Sequence, residues 1–277
     1  MATYLGTHGS KIQNYTTDPD NPIIGQVWYN TTSNALSFRA EGAGAWSTGN
    51  AMNTSRNVLA GTGTQTSAIG VGGEGPPVLT NAETYNGTNW TEVNDIAMAR
   101  KGLGGAGVSS TSALVFGGDG PPTTGNTESY SGSNWTEVNN LNTARQEMGA
   151  CGTQTAALAF GGLPSGITAE TETWNGTNWT EVNDLNVGKR QLAGAGISTA
   201  SLAIGGETPG GAQATTEEWN GTNWTEVADL NTARYYLGAA GTTAAGVAFG
   251  GTEAPPVTAA TEELNYPTLV TKTVDTD

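Results

Sequence analysis

Histidine and cysteine are almost missing from this chain: it has one of each, His8 and Cys151. A single cysteine excludes an internal disulfide and a cysteine metal site. A single histidine, close to the N-terminus, excludes a histidine-based triad or a His-clustered metal site in the rest of the chain. Charge is scarce as well, at 13% of residues, and 10 Lys and Arg stand against 25 Asp and Glu for a net charge of −15. Phosphate contact needs clustered Lys and Arg, so nucleic acid is not an expected partner. An acidic surface of this kind keeps a particle soluble and apart from its neighbours. No run of 18 apolar residues occurs, and the first residues show no signal-peptide pattern. The expectation is a chain that neither inserts into a membrane nor follows the usual secretion route. A sustained 3.6-residue apolar period is also absent, which argues against a helical protein.

Glycine, in contrast, is abundant, with 41 copies in 277 residues, and its placement is periodic. Tryptophans at Trp46, Trp90, Trp135, Trp179 and Trp224 are spaced by 44 or 45 residues. Diglycines at Gly72-Gly73, Gly117-Gly118, Gly161-Gly162, Gly205-Gly206 and Gly250-Gly251 keep the same beat. Such a period means one supersecondary unit repeated. Each unit holds four short strand-like runs, here named a to d. In one unit they are residues 103–108, 113–116 (closed by the diglycine), 127–130 and 135–138. Four short strands per unit, separated by turn signals, predict a β-propeller blade. The c–d turns read Asn-Gly-Thr-Asn or Ser-Gly-Ser-Asn, and their glycine supplies the positive φ of a tight hairpin. Frequent Asn-X-Thr sequons follow from this turn chemistry and are read as turns rather than glycan sites. Strand a is rich in Gly and Ala, as in Gly104-Gly105-Ala106-Gly107, which suits inner strands converging on an axis shared by few blades. Cys151 falls in this strand, where the other units have Thr62, Ala106, Ala195 and Ala240, and is read as a small filler.

Residues 1–41 depart from the repeat. The rigid run Asp18-Pro19-Asp20-Asn21-Pro22 precedes residues 27–29 and 35–38, which flank a turn at 30–34 and predict a β-hairpin. The division is therefore an arm of residues 1–41 and a propeller of residues 42–277. The last unit has strands a, b and c but no tryptophan strand, and Trp46 precedes the first complete strand a. Trp46 is therefore assigned strand d of the last blade, which would remove two exposed sheet edges. The alternative is a two-plus-two closure with residues 36–38 as strand c.

The ordered set Gly117-Gly118, Tyr130, Trp135 and Arg145, repeated over residues 46–266, resembles the kelch repeat. The resemblance implies an all-β, five-bladed kelch-like propeller of four-stranded blades, with the β-hairpin arm at its N-terminus. Five blades are fewer than the six or seven usual for kelch proteins.

Two repeated sets are assigned structural roles. The basic residues Arg56, Arg100, Arg145, Lys189 and Arg234, and the strand-c glutamates Glu83, Glu128, Glu172, Glu217 and Glu262, are expected to form struts within or between blades. The five tryptophans are expected to pack between blades. No catalytic residue, metal ligand or cofactor is assigned: paired carboxylates such as Glu217-Glu218 are strand neighbours and point to opposite faces. The b–c loops keep nearly constant length while their contents vary, and they share one face with the d–a loops. The candidate binding face therefore carries Pro76, Pro77, Asp119, Pro121, Pro122, Pro164, Glu207, Pro209, Glu253 and Pro255. Variable loops on a rigid frame are where specificity usually resides, although relaxed constraint on exposed loops gives the same pattern. Tyr235-Tyr236 are added as residues that break the repeat. Trp28 and Tyr29 are the expected anchors for attachment through the arm.

Residues 25–36, Gly-Gln-Val-Trp-Tyr-Asn-Thr-Thr-Ser-Asn-Ala-Leu, resemble a segment of tail-fibre and appendage proteins of tailed bacteriophages. The repeat at 174–186 is similar to kelch-like proteins of marine phages. These resemblances imply a non-enzymatic virion protein, assembled in the host cytoplasm, whose arm meets other virion proteins or forms a homo-oligomer. Its propeller would then bind a host-surface glycan or protein. A decoration protein that binds only virion subunits, and a carbohydrate-active enzyme, are the alternatives.

Overall fold

The structure is a computed structural model that describes residues 13–16, 27–33, 35–38, 48–253 and 257–265. The chain divides into two compact units, Met1–Thr48 and Gly49–Asp277. In the first, strands Val27–Asn30 and Ala35–Phe38 form the antiparallel hairpin, and Gln13–Tyr15 adds a parallel strand to it. That strand is three residues long, too short to show a period, and a parallel pairing is not set by a tight turn, so local sequence carries no sign of it.

The second unit is a five-bladed β-propeller. Blade 1 runs Ala60–Thr64, Ser67–Val71, Ala82–Tyr85 and Trp90–Val93, each strand antiparallel to the one before. Blade 2 runs Gly104–Ser109, Ser112–Phe116, Thr127–Tyr130 and Trp135–Val138. Blades 3 and 4 repeat this order from Gly149–Thr153 to Trp179–Val182 and from Ala193–Ile197 to Trp224–Glu226. Blade 5 shows three strands among the described residues: Gly238–Thr242, Ala245–Phe249 and Thr261–Asn265. The b–c loop of blade 4 adds a small hairpin, Glu207–Thr208 with Gly211–Ala212.

The a strands of successive blades pack side by side around the axis, and glycine makes this approach feasible. A Cβ on Gly105 would lie 3.2 Å from that of Ala60 in the neighbouring a strand. The core is a set of seams between blades. Phe116 of blade 2 lies edge-on to Trp179 of blade 3, and Phe160 of blade 3 to Trp224 of blade 4. The indole N–H of Trp179 donates to Thr127 Oγ1 at 3.0 Å, and that of Trp224 to Thr171 Oγ1 at 3.1 Å. Trp135 packs in the seam that holds Ala82, which has no hydroxyl, and its buried indole N–H has no hydrogen-bond partner.

The equivalent seam of blades 4 and 5 holds a cavity of about 230 Å³ lined by Ile204, Thr216, Leu230, Ala248 and Leu264. Thr216 stands where Thr127 and Thr171 meet their indoles. Trp46, assigned from sequence to strand d of the last blade, lies outside the described residues. Asn50, four residues after it, donates to Asn89 Oδ1 at 2.7 Å. Asn94, Asn139 and Asn183 stand four residues after Trp90, Trp135 and Trp179 and make the same bond to Asn134, Asn178 and Asn223. The two-plus-two closure does not occur: strand c of blade 5 is Thr261–Asn265, and Ala35–Phe38 pairs within the arm. The remaining seam is looser. Phe249 is 45% exposed, whereas Phe116 and Phe160 are fully buried.

The basic residues tie neighbouring blades together. Arg100, fully buried, donates to the carbonyls of Gly117 and Asn126 and pairs with Glu128 at 2.7 Å, all in blade 2. Its own carbonyl accepts the Gly73 N–H of blade 1 at 2.9 Å. Arg145 accepts from Gly118 in the same way and pairs with Glu170 at 3.1 Å and Glu172 at 3.2 Å. Lys189 lies 3.3 Å from Glu217, and Arg56 and Arg234 pair with Glu83 and Glu262. Burial lowers the pKa of Arg100, Arg145 and Lys189, and the glutamates beside them work in the opposite direction.

Candidate functional site

Each chain segment entering an a strand passes through one residue with left-handed backbone. These five are Val58 (φ 51°), Gly102 (61°), Glu147 (56°), Gln191 (55°) and Tyr236 (54°). The N–H of each of the last four donates to the carbonyl of the one before it, at 2.7–2.9 Å. The next residue in every unit is apolar: Leu59, Leu103, Met148, Leu192 and Leu237. All ten line one cavity of about 180 Å³. Equivalent positions from five blades can share a cavity only where the blades converge, so this is a cup at one end of the propeller axis.

Left-handed φ favours glycine and costs other residues about 1–2 kcal/mol, more so when β-branched. Gly102 shows that glycine serves here, yet the other four units keep a side chain. Strain of this kind concentrates at functional sites. We expect Val58→Gly to raise stability by about 1 kcal/mol, the relief of strain exceeding the entropy that glycine adds to the unfolded chain. Urea unfolding checks this; a loss of stability would mean that the Val58 side chain has a packing role instead.

The rim has a polar side and an apolar side. Gln191 Nε2 donates to Glu147 Oε2 and to the Tyr236 hydroxyl, both at 2.7 Å, and Tyr236 donates to Glu147 Oε1 at 3.2 Å. Arg190 pairs with Glu207 through Nε at 3.0 Å and Nη2 at 2.8 Å, and approaches Glu147 at 3.4 Å. On the opposite side Val58 and Gly102 present no polar side chain; beyond them Lys101 pairs with Glu74 at 2.8 Å.

Burial first, then the Glu147 carboxylate, pushes the Tyr236 phenol up to about 12 from its ordinary 10. The raised value means that the folded protein holds this proton more tightly. The associated stability is therefore present below pH 10 and is lost as the pH rises from 10 through about 12. Absorbance titration of wild type against Tyr236→Phe should show a tyrosine ionising near pH 12. Glu147→Gln should move it back toward 10, and an unchanged midpoint would remove Glu147 as a cause.

The b–c loops surround the cup, because the residue before each rim position bridges to the residue after a diglycine: Asn57 to Glu74, Lys101 to Asp119, Gln146 to Leu163, Arg190 to Glu207, and Tyr235 to Thr252. Pro76, Pro77, Pro121, Pro122 and Pro209 are exposed at the loop tips, Asp119, Pro164, Glu207 and Glu253 are half-buried, and Pro255 lies outside the described residues. Of the sequence-assigned residues, Tyr236 lines the cup and Glu207 reaches it through Arg190; the proline tips stand apart from it. Tyr235 and Tyr236 do not interrupt the backbone repeat, since they occupy the slots of Asn57-Val58 and Arg190-Gln191. In the arm, Tyr29 is half-buried, and the backbone of Trp28 pairs with Gln13 and Ser37. Cys151 is buried, its Sγ donates to Ser201 Oγ at 3.1 Å, and burial pushes its thiol up to about 11. That leaves it protonated and unreactive at neutral pH. Among the described residues no cluster of His, Cys, Asp and Glu is arranged for a metal ion, and no helix is long and apolar enough to cross a membrane.

Comparison with known proteins supports the fold class alone. No protein-family model matches the chain, and no curated protein matches it. Among solved structures, that of YjhT superposes with a TM-score of 0.65 at 13% identity, over 77% of this chain and 82% of that one. The chain is thus similar in fold to another β-propeller protein.

Proposed function

We propose that this protein is a non-catalytic adhesion component of a tailed-phage particle. Residues 1–41 attach it to other virion proteins or to further copies of itself, and the propeller presents its cup face to a glycan or protein on the host surface. The rim carries this reading. Four side chains are kept at positions where glycine would relieve strain, around one cavity, on the face where the b–c loops vary. Catalysis fits the cup less well. Glu147 is the carboxylate lining it, and Gln191, Tyr236 and Arg190 already engage it, leaving no free acid–base pair of the kind hydrolysis uses. The resemblance of residues 25–36 and 174–186 to phage appendage proteins supports the virion setting.

Immunogold labelling of intact particles and competition by purified protein test the two halves. Gold on the particle, together with slower phage adsorption when excess propeller occupies the host surface, is the expected result. Labelled particles whose adsorption is unaffected would leave a decoration role; unlabelled particles would overturn the virion assignment.

A further inference from the structure

We infer that the axial cup binds a single neutral sugar residue. This rests on the adhesion reading for its biological setting but on the cup's own chemistry for its ligand. Size sets the first limit. Drug-sized ligands occupy cavities of roughly 300–1,000 Å³, and this cup, at about 180 Å³, admits one small ring or a side-chain tip. Polarity sets the second. The base is aliphatic, and Tyr236, 51% exposed, adds an accessible aromatic face. Hydrogen-bonding groups gather on the side of Glu147, Gln191 and Tyr236. A pyranose has this division, with an apolar C–H face and hydroxyls on its edge.

Charge sets the third limit. Glu147 and Glu207 share the one cation Arg190, which leaves that cluster one net negative charge, and Glu74 pairs with Lys101. An anionic ligand would be repelled by that excess charge, and a cation would compete with Arg190 for the same carboxylates, whereas hydroxyls meet neither obstacle. Arg190 uses three of its five N–H donors, one on Glu147 and two on Glu207, and a carboxylate oxygen has room for further donors. The rim therefore offers both donors and acceptors to hydroxyl groups, as a neutral sugar requires.

The test uses the full chain. Saturation-transfer NMR would screen glucose, galactose, mannose, N-acetylglucosamine and N-acetylgalactosamine, with sialic acid and lysine methyl ester as charged probes. At least one neutral sugar should bind, and Glu147→Gln and Tyr236→Phe should each weaken it about tenfold or more with melting within a few degrees of wild type. Ile197→Ala, exposed at the far end of its a strand, should leave binding unchanged. Binding by the charged probes alone, or neutral-sugar binding indifferent to both rim variants, overturns the inference. If a rim variant fails to fold, protection of Tyr236 from iodination by the bound sugar gives the same answer in wild type. A protein that adheres to host cells yet binds none of the sugars refutes the cup chemistry alone; one that binds a sugar but no host cell refutes the adhesion reading alone.

Discussion

Replacing Arg100 by alanine is expected to destabilise the propeller by about 3–5 kcal/mol, the cost of leaving one partner of a buried ion pair uncompensated. Glu128, almost fully buried, would be left without its cation. The carbonyls of Gly117 and Asn126 would lose a charged donor as well. The loss falls at a seam, because the same residue's backbone joins blade 1 while its side chain holds blade 2. Lys101→Ala is the control. Its pair with Glu74 is partly exposed, and such pairs contribute about 0–1 kcal/mol. Urea unfolding of both variants decides the matter: if Arg100→Ala unfolds within 1 kcal/mol of wild type, the buried pair is not what joins these blades.

Gly118→Ala is expected to cost about 3 kcal/mol or more, from two sources that cannot relax together. Its φ of +110° lies where L side chains rarely go, and such strain costs of order 1–3 kcal/mol. A Cβ there would also lie 2.9 Å from the Lys101 carbonyl and 3.1 Å from Leu103 Cβ, and overpacking of this kind adds about 1–3 kcal/mol. Moving the backbone away would break the Gly118 N–H bond to the Arg145 carbonyl, which crosses to the next blade. At Gly166 a Cβ meets nothing within 4 Å, so Gly166→Ala should fall within about 0.5 kcal/mol of wild type. Equal melting temperatures for the two variants would mean that the diglycine is not a conformational requirement.

Strands b, c and d were legible because each is marked by a residue that its geometry demands. The diglycine ends strand b at positive φ, the c–d turn needs its glycine, and the tryptophan fills a seam. In blade 2 the expected strands c and d match those observed, strand a shifts by one residue, and strand b begins one residue earlier. The extra hairpin at Glu207–Ala212 was missed because a two-residue strand is too short to show a period. The cup was illegible for a different reason. Val58, Gly102, Glu147, Gln191 and Tyr236 share a backbone conformation and no chemistry, so the repeat hides them as variable positions. Tyr235-Tyr236 breaks the repeat in side chain only; in backbone Tyr236 follows it.

The sequence by itself determined the repeat, the blade and its number, because turn glycines, diglycines and seam aromatics act within or between adjacent strands and recur at one period. The tertiary structure decided which residues form a site. Convergence on an axis gathers five positions, each about 45 residues from the next, and only their meeting turns unlike side chains into one cavity.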